Sequence, residues 1–369
     1  MNVLFLLGHF GVGGVERVTT VLAAELARRG HGVTICAFKI DDRALLTGLD
    51  GRIAVRELGE WWMCAANREV FRKIVLEQKV DVVINQWAVP YAVTRFVRKS
   101  TQGLGVKLIA VHHNLPTTNK RIQDARNGVL RTLWKIVSAV NSRLVYSHSD
   151  LYVVLSSSFI PLFKEFIWRS GADRVCSISN PLTMTVPMRP KENVILYVGR
   201  LEETQKRVSR IVGAWSKLAD VLPDWRLEIV GDGPDRGKYE SMAADLPRIA
   251  FKGFCDPAEH YARAKMLLLT SDFEGFGLVL VEAMSAGCVP IALGSYSAVY
   301  DIIDDGVCGR ILPMPFDAKQ MEDAVIRLAR NQDDLLCMAK SGKESSARYS
   351  VGTVVDAWES VLCNLTRSM

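Results

Sequence analysis

Short runs of aliphatic and β-branched residues alternate with amphipathic stretches of helical length along most of this chain. The first cycle begins with an apolar run at 3–7 and passes through a glycine-rich turn to a stretch at 15–29 whose apolar side chains recur on one helical face. Further apolar runs lie at 33–38, 80–84, 106–111 and 151–155. Strands that alternate with helices pair in parallel, because a parallel pair needs a crossover between its strands. The pattern predicts an α/β fold.

The same pattern starts again in the second half of the chain. An apolar run at 194–198 precedes a helical stretch at 207–220, and further runs follow at 227–230, 249–252, 266–270 and 289–292. A proline-punctuated segment near 183–192 separates the halves, and 369 residues exceed the size at which one core usually stops growing. We therefore predict two doubly wound parallel-sheet domains, at 1–185 and 186–350. We expect the helical stretch at 351–369 to pack back on the first domain, and a ligand to bind in a cleft at the carboxyl ends of both sheets.

Composition excludes several classes of protein. Apolar residues make up 49% and charged residues 23%, the balance of a folded globular protein rather than a disordered or fibrous one. The eight cysteines form no CxxC pair and no cluster with metal-ligand spacing, which favours reduced thiols and a cytoplasmic protein. The apolar start lacks the basic region and cleavage site of a signal peptide, and the uncharged stretch at 283–300 is broken by glycine and proline.

Charge is distributed unevenly along the chain. Residues 1–190 carry 25 Lys and Arg against 14 Asp and Glu, whereas the remainder carries 21 against 26. A basic half suggests an anionic partner. We expect this partner to be an anionic membrane surface rather than nucleic acid, with the protein peripheral on the inner face of the cytoplasmic membrane. Two basic segments also contain apolar residues. One follows Trp61 and Trp62, and the other, at 120–143, contains Arg126, Arg131 and Lys135.

One stretch inside the basic segment allows two interpretations. Its apolar residues could form a single helical stripe; they are Val129, Leu130, Leu133, Trp134, Val137, Val140 and Leu144. The stripe could face a membrane, or it could be ordinary core, and for Leu133 and Val137 the core is the favoured interpretation.

The strongest local signal is the sequence EGFGLVLVEAMSAG at 274–287, which directly follows a predicted strand. Its glycines stand where a helix begins, so backbone N–H groups and the positive end of the helix dipole are open to an anion. Glu274 and Glu282 lie two helical turns apart and could accept hydrogen bonds from sugar hydroxyls. The segment predicts a diphosphate cradle. The alternative is that both glutamates lie on an exposed helix face.

These residues resemble the signature of the family 4 retaining glycosyltransferases of GT-B fold. The resemblance extends to Gly13-Gly14-Val-Glu-Arg, to Val198-Gly-Arg200 with Gln-Lys206, and to the runs 230–234, 251–253 and 178–181. The order and spacing of these motifs are more specific than any one of them. The resemblance covers nearly the whole chain and is strongest at 193–313.

The resemblance implies a role for individual residues. Arg200 and Lys206 would bind the donor diphosphate, Glu282 the ribose and Glu274 the transferred sugar. His113 matches the histidine that lies near the donor sugar, and Arg200, Lys206, Glu274 and His113 would be the catalytic residues. The donor site would also include Gly13, Gly14, Phe254, Gly275, Phe276, Gly277 and Leu278.

The activity implied is retaining transfer of a hexosyl or N-acetylhexosaminyl group from a nucleoside diphosphate sugar, most often UDP-linked. The acceptor would be a saccharide or a polyprenyl-diphosphate-linked saccharide, in polysaccharide or glycan-precursor synthesis. No DxD triplet occurs, so no metal and no cofactor are expected. Two positions depart from the family pattern: Arg207 stands where glycine is usual, and the acidic residue of the later loop is most nearly Asp301.

Two other functions remain open at this stage. A sugar-nucleotide 2-epimerase uses the same fold, but it would want additional acid/base carboxylates near the anomeric carbon. A noncatalytic partner subunit of a glycosyltransferase pair would be expected to lose phosphate-binding residues, and none is missing here.

Overall fold

The structure is a computed structural model that describes residues 1–11, 13–59, 63–87, 90–118, 120–125 and 127–367. The chain forms two compact units. The first comprises Met1–Thr183 with Ser350–Met369, and the second comprises Met184–Tyr349.

The described residues of the first unit build a parallel sheet of seven strands covered by helices. Its strand order is β3-β2-β1-β4-β5-β6-β7. The strands are β1 (Asn2–Phe10), β2 (Gly32–Ile40), β3 (Ala54–Glu57), β4 (Val82–Asn85), β5 (Lys107–His112), β6 (Leu151–Val154) and β7 (Val175–Ser177). The helices are α1 (Gly14–Arg28), α2 (Ala65–Glu77), α3 (Tyr91–Ser100), α4 (Lys120–Asp124), α5 (Gly128–Ser147) and α6 (Phe159–Phe166), with a short 3-10 turn at Ala44–Leu46.

The second unit repeats this architecture with six strands among the described residues. Its strand order is β10-β9-β8-β11-β12-β13. The strands are β8 (Glu192–Val198), β9 (Arg226–Val230), β10 (Ile249–Gly253), β11 (Ala264–Leu269), β12 (Val289–Leu293) and β13 (Arg310–Leu312). The helices are α7 (Val208–Val221), α8 (Arg236–Met242), α9 (Ala258–Arg263), α10 (Leu278–Ser285), α11 (Ala298–Ile302), α12 (Ala318–Arg330) and α13 (Gln332–Ser346), followed by a 3-10 turn at Ala347–Tyr349.

The last helix, α14 (Val351–Arg367), belongs to the first unit. It packs on α1, where Arg29 donates hydrogen bonds to Asp356 and Glu359 at 2.5 Å each. His31 lies 2.9 Å from the second carboxylate. The chain thus returns to its first domain after completing the second.

The central strands are apolar on both faces because helices cover both faces of each sheet. In β1 the residues from Val3 to Leu7 are at most 2% exposed. In β8 the residues from Val194 to Tyr197 are equally buried. These continuous apolar runs are the ones from which parallel strands were predicted, and the predicted pair of Rossmann-like sheets is confirmed.

Three short strands were not predicted: β3, β7 and β13. All three lie at sheet edges, and most of their residues are only partly buried. An edge strand pairs on one side only and does not need a continuous apolar run. Their formation depends on the neighbouring strand rather than on their own sequence.

Strand order locates the switch point of each sheet, where the connections leave in opposite directions. In the first unit it lies between β1 and β4, and in the second between β8 and β11. The loops at the carboxyl ends of these strand pairs diverge, and the crevice between them is where doubly wound sheets bind ligands.

Candidate active site

The loop that follows β8 lies directly against the loop that follows β9. A side-chain carbon added to Gly231 would collide with the carbonyl oxygen of Gly199, and one added to Gly233 would approach the amide nitrogen of Leu201 to 2.7 Å. The amide of Leu201 donates to the carbonyl of Asp232 at 2.9 Å. Gly231 and Gly233 belong to a Gly-Asp-Gly motif that directly follows β9. In the structure its glycines allow two backbones to touch, and this contact supports the β8 loop.

Lys206 and Glu274 meet at the switch point of the second sheet. The Nζ of Lys206 lies 2.6 Å from Oε1 of Glu274, and the hydroxyl of Ser271 donates to the same oxygen at 2.6 Å. Both charged side chains are largely buried, with 18% and 9% of their surface exposed. The interpretation of Glu274 as part of an exposed helix face is therefore wrong. A buried ion pair that still reaches the surface can bind a charged ligand with little loss of entropy.

Further contacts tie the β8–α7 loop to the β11–α10 loop. The amide of Asp272 donates to the carbonyl of Gln205 at 2.8 Å, and the side chain of Gln205 donates to the carbonyl of Phe273 at 3.1 Å. The carboxylate of Asp272 also accepts from Arg207 at 2.6 Å and from Arg210 at 2.7 Å. The two loops that carry Lys206 and Glu274 therefore form one connected structure.

Arg207 adopts the left-handed conformation, with φ 52° and ψ 44°. Non-glycine residues pay about 1 kcal/mol or more for this conformation, whereas glycine adopts it freely. The side chain of Arg207 forms an ion pair with Asp272 at 2.6 Å in this conformation. The structure thus explains how arginine replaces the glycine that the resemblance leads one to expect, since its backbone keeps the glycine-like geometry.

The start of α10 requires glycine at position 277 for two reasons, its backbone conformation and the space around it. Its φ is +88°, and a side-chain carbon at this position would lie 2.5 Å from the hydroxyl of Tyr296. As the N-cap it offers no side chain to cap the first helical amides. The amide of Leu280 donates to the carbonyl of Gly277 at 2.8 Å. A helix start without a side-chain cap can bind an anion through its first amides, and the diphosphate cradle stays a prediction. The side chain of Phe276, by contrast, is 4% exposed and packs on Tyr349, so only its backbone can contact a ligand.

Glu282 is held inside the second unit. It is 3% exposed, and its Oε2 accepts a hydrogen bond from the hydroxyl of Tyr261 on α9 at 2.9 Å. The exposed-face interpretation is wrong for this residue as well. Tyr261 fixes the orientation of the carboxylate, a role that sequence patterns did not reveal, because Tyr261 lies 21 residues away on another helix.

Tyr296 is a candidate site residue that sequence reasoning missed. Its side chain is 4% exposed, yet its hydroxyl finds no hydrogen-bond partner among the described residues. Burial raises the pKa of this hydroxyl well above its ordinary value, and the neighbouring Glu274 adds to the effect. A neutral, buried donor beside the start of α10 is available to a bound oxygen. Its only sequence signal is its place in the loop after β12.

The remaining predicted residues of this unit are more open. The side chain of Arg200 is 65% exposed, with its Nε 3.6 Å from Glu202. Phe254, directly after β10, is 71% exposed and offers a ring face to solvent. Gly275 and Leu278 flank the start of α10 and are partly buried. The structure brings Lys206 and Glu274 into contact, and it leaves Arg200 and Phe254 on separate loops at the same edge of the sheet.

In the first unit, His112 and His113 lie where β5 ends and take different partners. His113 Nε2 lies 2.5 Å from Oε1 of Gln86, and His112 Nδ1 lies 2.5 Å from the hydroxyl of Tyr152. Burial, with a smaller contribution from His112, lowers the pKa of His113 to about 3, and burial lowers that of His112 to about 4. Both rings are neutral at physiological pH. The Nδ1 of His113 has no partner among the described residues and can accept a hydrogen bond from a hydroxyl.

Gly13 and Gly14 stand at the start of α1, directly after β1. This is the same edge of the first sheet at which β5 ends and His113 follows. A side chain on Gly13 would collide with the carboxylate of Glu16, whereas Gly14 is open to solvent. A cavity of about 240 Å³ lies beside them, lined by residues from β1, α1 and the end of β4, namely Leu7, Gly8, His9, Val15, Glu16, Gln86 and Trp87. The switch point of the first sheet therefore opens onto a small space with polar groups at its rim.

Two family models together match nearly the whole chain. The model described as "Glycosyl transferases group 1" matches residues 185–345, and the model described as "Glycosyltransferase Family 4" matches residues 12–182. The two matches follow the two units of the structure.

Individual proteins show the same similarity. The lipopolysaccharide 1,6-galactosyltransferase of Salmonella typhimurium is 33% identical over 181 residues, which are 45% of this chain and 48% of that protein. The GalNAc-alpha-(1->4)-GalNAc-alpha-(1->3)-diNAcBac-PP-undecaprenol alpha-1,4-N-acetyl-D-galactosaminyltransferase of Campylobacter jejuni is 23% identical over 85% of this chain and 84% of its own length. Among solved structures, Anabaena HepE in complex with UDP-glucose superimposes with a TM-score of 0.76 at 18% identity, covering 99% of this chain and all of that one.

Proposed function

We propose that this chain, which belongs to the family 4 glycosyltransferases of GT-B fold, transfers a hexosyl or N-acetylhexosaminyl group from a UDP-sugar with retention of anomeric configuration. The acceptor is a saccharide or a polyprenyl-diphosphate-linked saccharide, in the synthesis of a polysaccharide or a glycan precursor. Donor and acceptor are inferred from the residues at the switch point of the second sheet and from the substrates named for the relatives.

The observation that carries the proposal is the buried pair of Lys206 and Glu274 at the switch point. Departure of a nucleoside diphosphate places negative charge on a phosphate oxygen, and a preorganised cation stabilises that charge as it develops. Lys206 is held for this purpose by Glu274, which can also accept a hydrogen bond from a sugar hydroxyl. A cation and an acceptor 2.6 Å apart fit the junction between the phosphate and the sugar of one donor.

The other donor contacts extend from this junction. The first amides of α10 and the exposed guanidinium of Arg200 supply further positive charge for the diphosphate. Glu282, oriented by Tyr261, accepts from the ribose hydroxyls. The free ring face of Phe254 offers a stacking surface for the base.

The proposed reaction needs no metal and no carboxylate nucleophile. Lys206, Arg200 and the helix amides stabilise the leaving phosphate, and that phosphate takes the proton of the acceptor hydroxyl on the face from which it departs. Attack on the same face preserves the configuration at the anomeric carbon. The role implied for His113, as a neutral acceptor for a hydroxyl of the donor sugar, stays part of this proposal.

We further propose that the enzyme works at an anionic membrane surface. Helix α5 buries only the side formed by residues such as Ala139 and Val145, while Val129 is 83% and Leu133 53% exposed. The expectation that Leu133 and Val137 belong to the core is therefore wrong. Arg131, Lys135 and Arg143 on the same helix are exposed as well. An apolar face bordered by basic residues suits the headgroup region of an anionic leaflet.

The membrane prediction from sequence also included two tryptophans and a further arginine. Trp61, Trp62 and Arg126 lie outside the described residues. Within the described ranges, no helix is both long and apolar enough to cross a bilayer. The membrane proposal rests on α5, and on a relative whose named substrate carries undecaprenol diphosphate.

Incubation of the purified protein with a panel of sugar nucleotides, with and without lipid-linked acceptors, tests the reaction. We expect UDP release from one donor, acceleration by acceptor, an unchanged anomeric configuration in the product and full activity with chelator. Conversion of the donor to its epimer without transfer of the sugar would show a 2-epimerase instead. Inversion, or inhibition by chelator that added metal reverses, would contradict the proposed mechanism.

A further inference from the structure

A cysteine, a histidine and a glutamate form a hydrogen-bonded chain beside the donor loops of the second unit. The Sγ of Cys255 lies 3.7 Å from Nε2 of His260, and Nδ1 of the same ring lies 2.7 Å from Oε2 of Glu228. Cys255 is exposed, whereas the side chain of His260 is 13% and that of Glu228 4% exposed. The order is a nucleophile open to solvent, a base, and a buried carboxylate that orients the base.

The buried carboxylate favours the tautomer of His260 that carries its proton on Nδ1. Burial alone would raise the pKa of Glu228, but the hydrogen bonds from His260 and Arg226 outweigh it and hold this pKa below its ordinary value. Lys252 at 3.9 Å and Arg263 at 3.7 Å also favour the charged carboxylate. An ionised Glu228 accepts from the Nδ1–H of His260. The lone pair of Nε2 therefore faces the thiol.

The cluster of Cys255, His260 and Glu228 lies close to the loops of the proposed donor site. Cys255 follows directly after Phe254, in the loop between β10 and α9. The carbonyl of Gly253 at the end of β10 accepts from the amide of Gly231, whose own backbone touches Gly199 in the β8 loop. Parallel strands end at one edge of a sheet, so the thiol lies at the same edge as the loops of the proposed donor site.

We propose that Cys255 is a base-assisted nucleophilic thiol that exchanges with small-molecule disulfides, and that the resulting adduct hinders binding of the donor nucleotide. His260 Nε2 takes the thiol proton while Sγ attacks one sulfur of the disulfide. A new bond forms between Sγ and that sulfur, the original S–S bond breaks, and the leaving thiolate takes the proton from His260. Cys255 is oxidised, the reagent is reduced, and excess thiol reverses the step.

The second half of the proposal rests on the proposed function, because it requires that the base of the donor lies against Phe254. We expect an adduct of several atoms on the adjacent residue to reach the space beside that ring. The thiol would then make donor binding sensitive to the redox state of its surroundings.

The reactivity is tested on the native protein with oxidised glutathione, by following mixed disulfides on each cysteine by peptide mass spectrometry. Cys337 on α13 is also exposed and serves as the internal reference. We expect Cys255 to react about tenfold faster or more than Cys337, and His260→Asn to abolish the difference while leaving Cys337 unchanged. Equal rates for the two cysteines in the native protein would overturn the proposal, whether or not the variant folds.

The effect on donor binding is tested by calorimetry with UDP on the native protein, the glutathione adduct and Cys255→Ser. We expect the adduct to bind at least tenfold more weakly, dithiothreitol to restore binding, and the serine variant to bind normally and to resist glutathione. Equal affinity of adduct and native protein would overturn the gating role. If the unmodified protein fails to bind UDP, the proposed donor is wrong, and the rate comparison still decides the nature of the thiol.

Discussion

At the scale of single residues, the site is built from charged groups that hold one another in place. Lys206 and Ser271 both donate to Oε1 of Glu274, and the carboxylate of Asp272 accepts from Arg207 and Arg210 beside them. Buried charges of this kind are expensive unless they are paired, and pairing them fixes their positions before a ligand arrives. Chemistry at this site should therefore respond sharply to changes of one side chain.

We predict that Lys206→Ala and Arg200→Ala each lower turnover about a hundredfold or more. Each removes one charge-assisted contact to the leaving phosphate, a loss of about 3 kcal/mol in transition-state stabilisation. Steady-state UDP release measures the effect. Lys217→Ala on α7, whose side chain is 72% exposed, is the matched control and should retain full activity. Activity within a few fold of the native value in both site variants would refute the phosphate assignment.

Tyr296→Phe should separate stability from binding. The buried hydroxyl has no partner among the described residues, so its removal should leave the free energy of unfolding unchanged or slightly raised. Donor affinity should fall by roughly tenfold if the hydroxyl donates to a bound phosphate, a hydrogen bond to a charged group being worth about 1.5 kcal/mol. Urea unfolding and UDP calorimetry measure the two quantities. A marked loss of stability with unchanged affinity would show that the hydroxyl has only a structural role.

At the scale of elements, α5 differs from the other long helices of the first unit. Over its 20 residues, the buried positions are confined to Ala139, Ser142, Val145 and Tyr146. Exposed apolar side chains occur along the helix from Val129 to Leu144. A helix with this much exposed apolar surface contributes less to the core than its composition suggests, and its outer face is free for another contact.

We predict that replacing Leu133 and Val137 by serine weakens binding to anionic vesicles without reducing the stability of the protein. Both side chains are about half exposed, so their removal costs little core energy but removes apolar area from the membrane contact. Sedimentation with phosphatidylglycerol-containing and neutral vesicles at low and high salt measures the effect. Met242→Ser, at an exposed position of the second unit, is the control. Equal binding of native protein to both kinds of vesicle at low salt would exclude the membrane proposal.

At the scale of the whole molecule, the buried histidines link stability to pH. His112 and His113 have folded-state pKa values of about 4 and about 3, below the ordinary 6.5. Between these folded-state values and pH 6.5, the unfolded chain therefore binds more protons than the folded protein. Their neutral form stabilises the fold above pH 6.5, and this contribution is lost as pH falls. Carboxylates such as Glu25, with a pKa lowered to about 2, lose their contribution only below pH 4.5.

We therefore predict that the free energy of unfolding decreases between pH 6.5 and pH 5, by about 2 kcal/mol for each of the two histidines. Urea unfolding followed at several pH values measures the decrease. His112→Asn should remove about half of the pH dependence, because asparagine does not titrate in this range. A constant unfolding midpoint from pH 7 to pH 5 would contradict the assignment of both rings as buried and neutral.

Much of the fold followed from local pattern. Continuous apolar runs such as Val194–Tyr197 become central strands because both faces of a parallel sheet are covered, and helical periodicity between them requires crossovers. Positions such as Gly277 could also be recognised from sequence, since a helix start that binds an anion tolerates little else there. The sequence by itself therefore determined the two parallel sheets and the segment that carries the proposed diphosphate cradle.

Contacts between distant segments were decided only by the tertiary structure. Lys206 and Glu274 lie 68 residues apart and meet because β8 and β11 are neighbours at the switch point, a consequence of strand order that no local pattern encodes. Tyr296 reaches Gly277 from another loop, and Leu133 is exposed because no other described element covers that face of α5. Periodicity shows that a residue can be buried, but only the packing of whole elements decides what it is buried against, and whether it is buried at all.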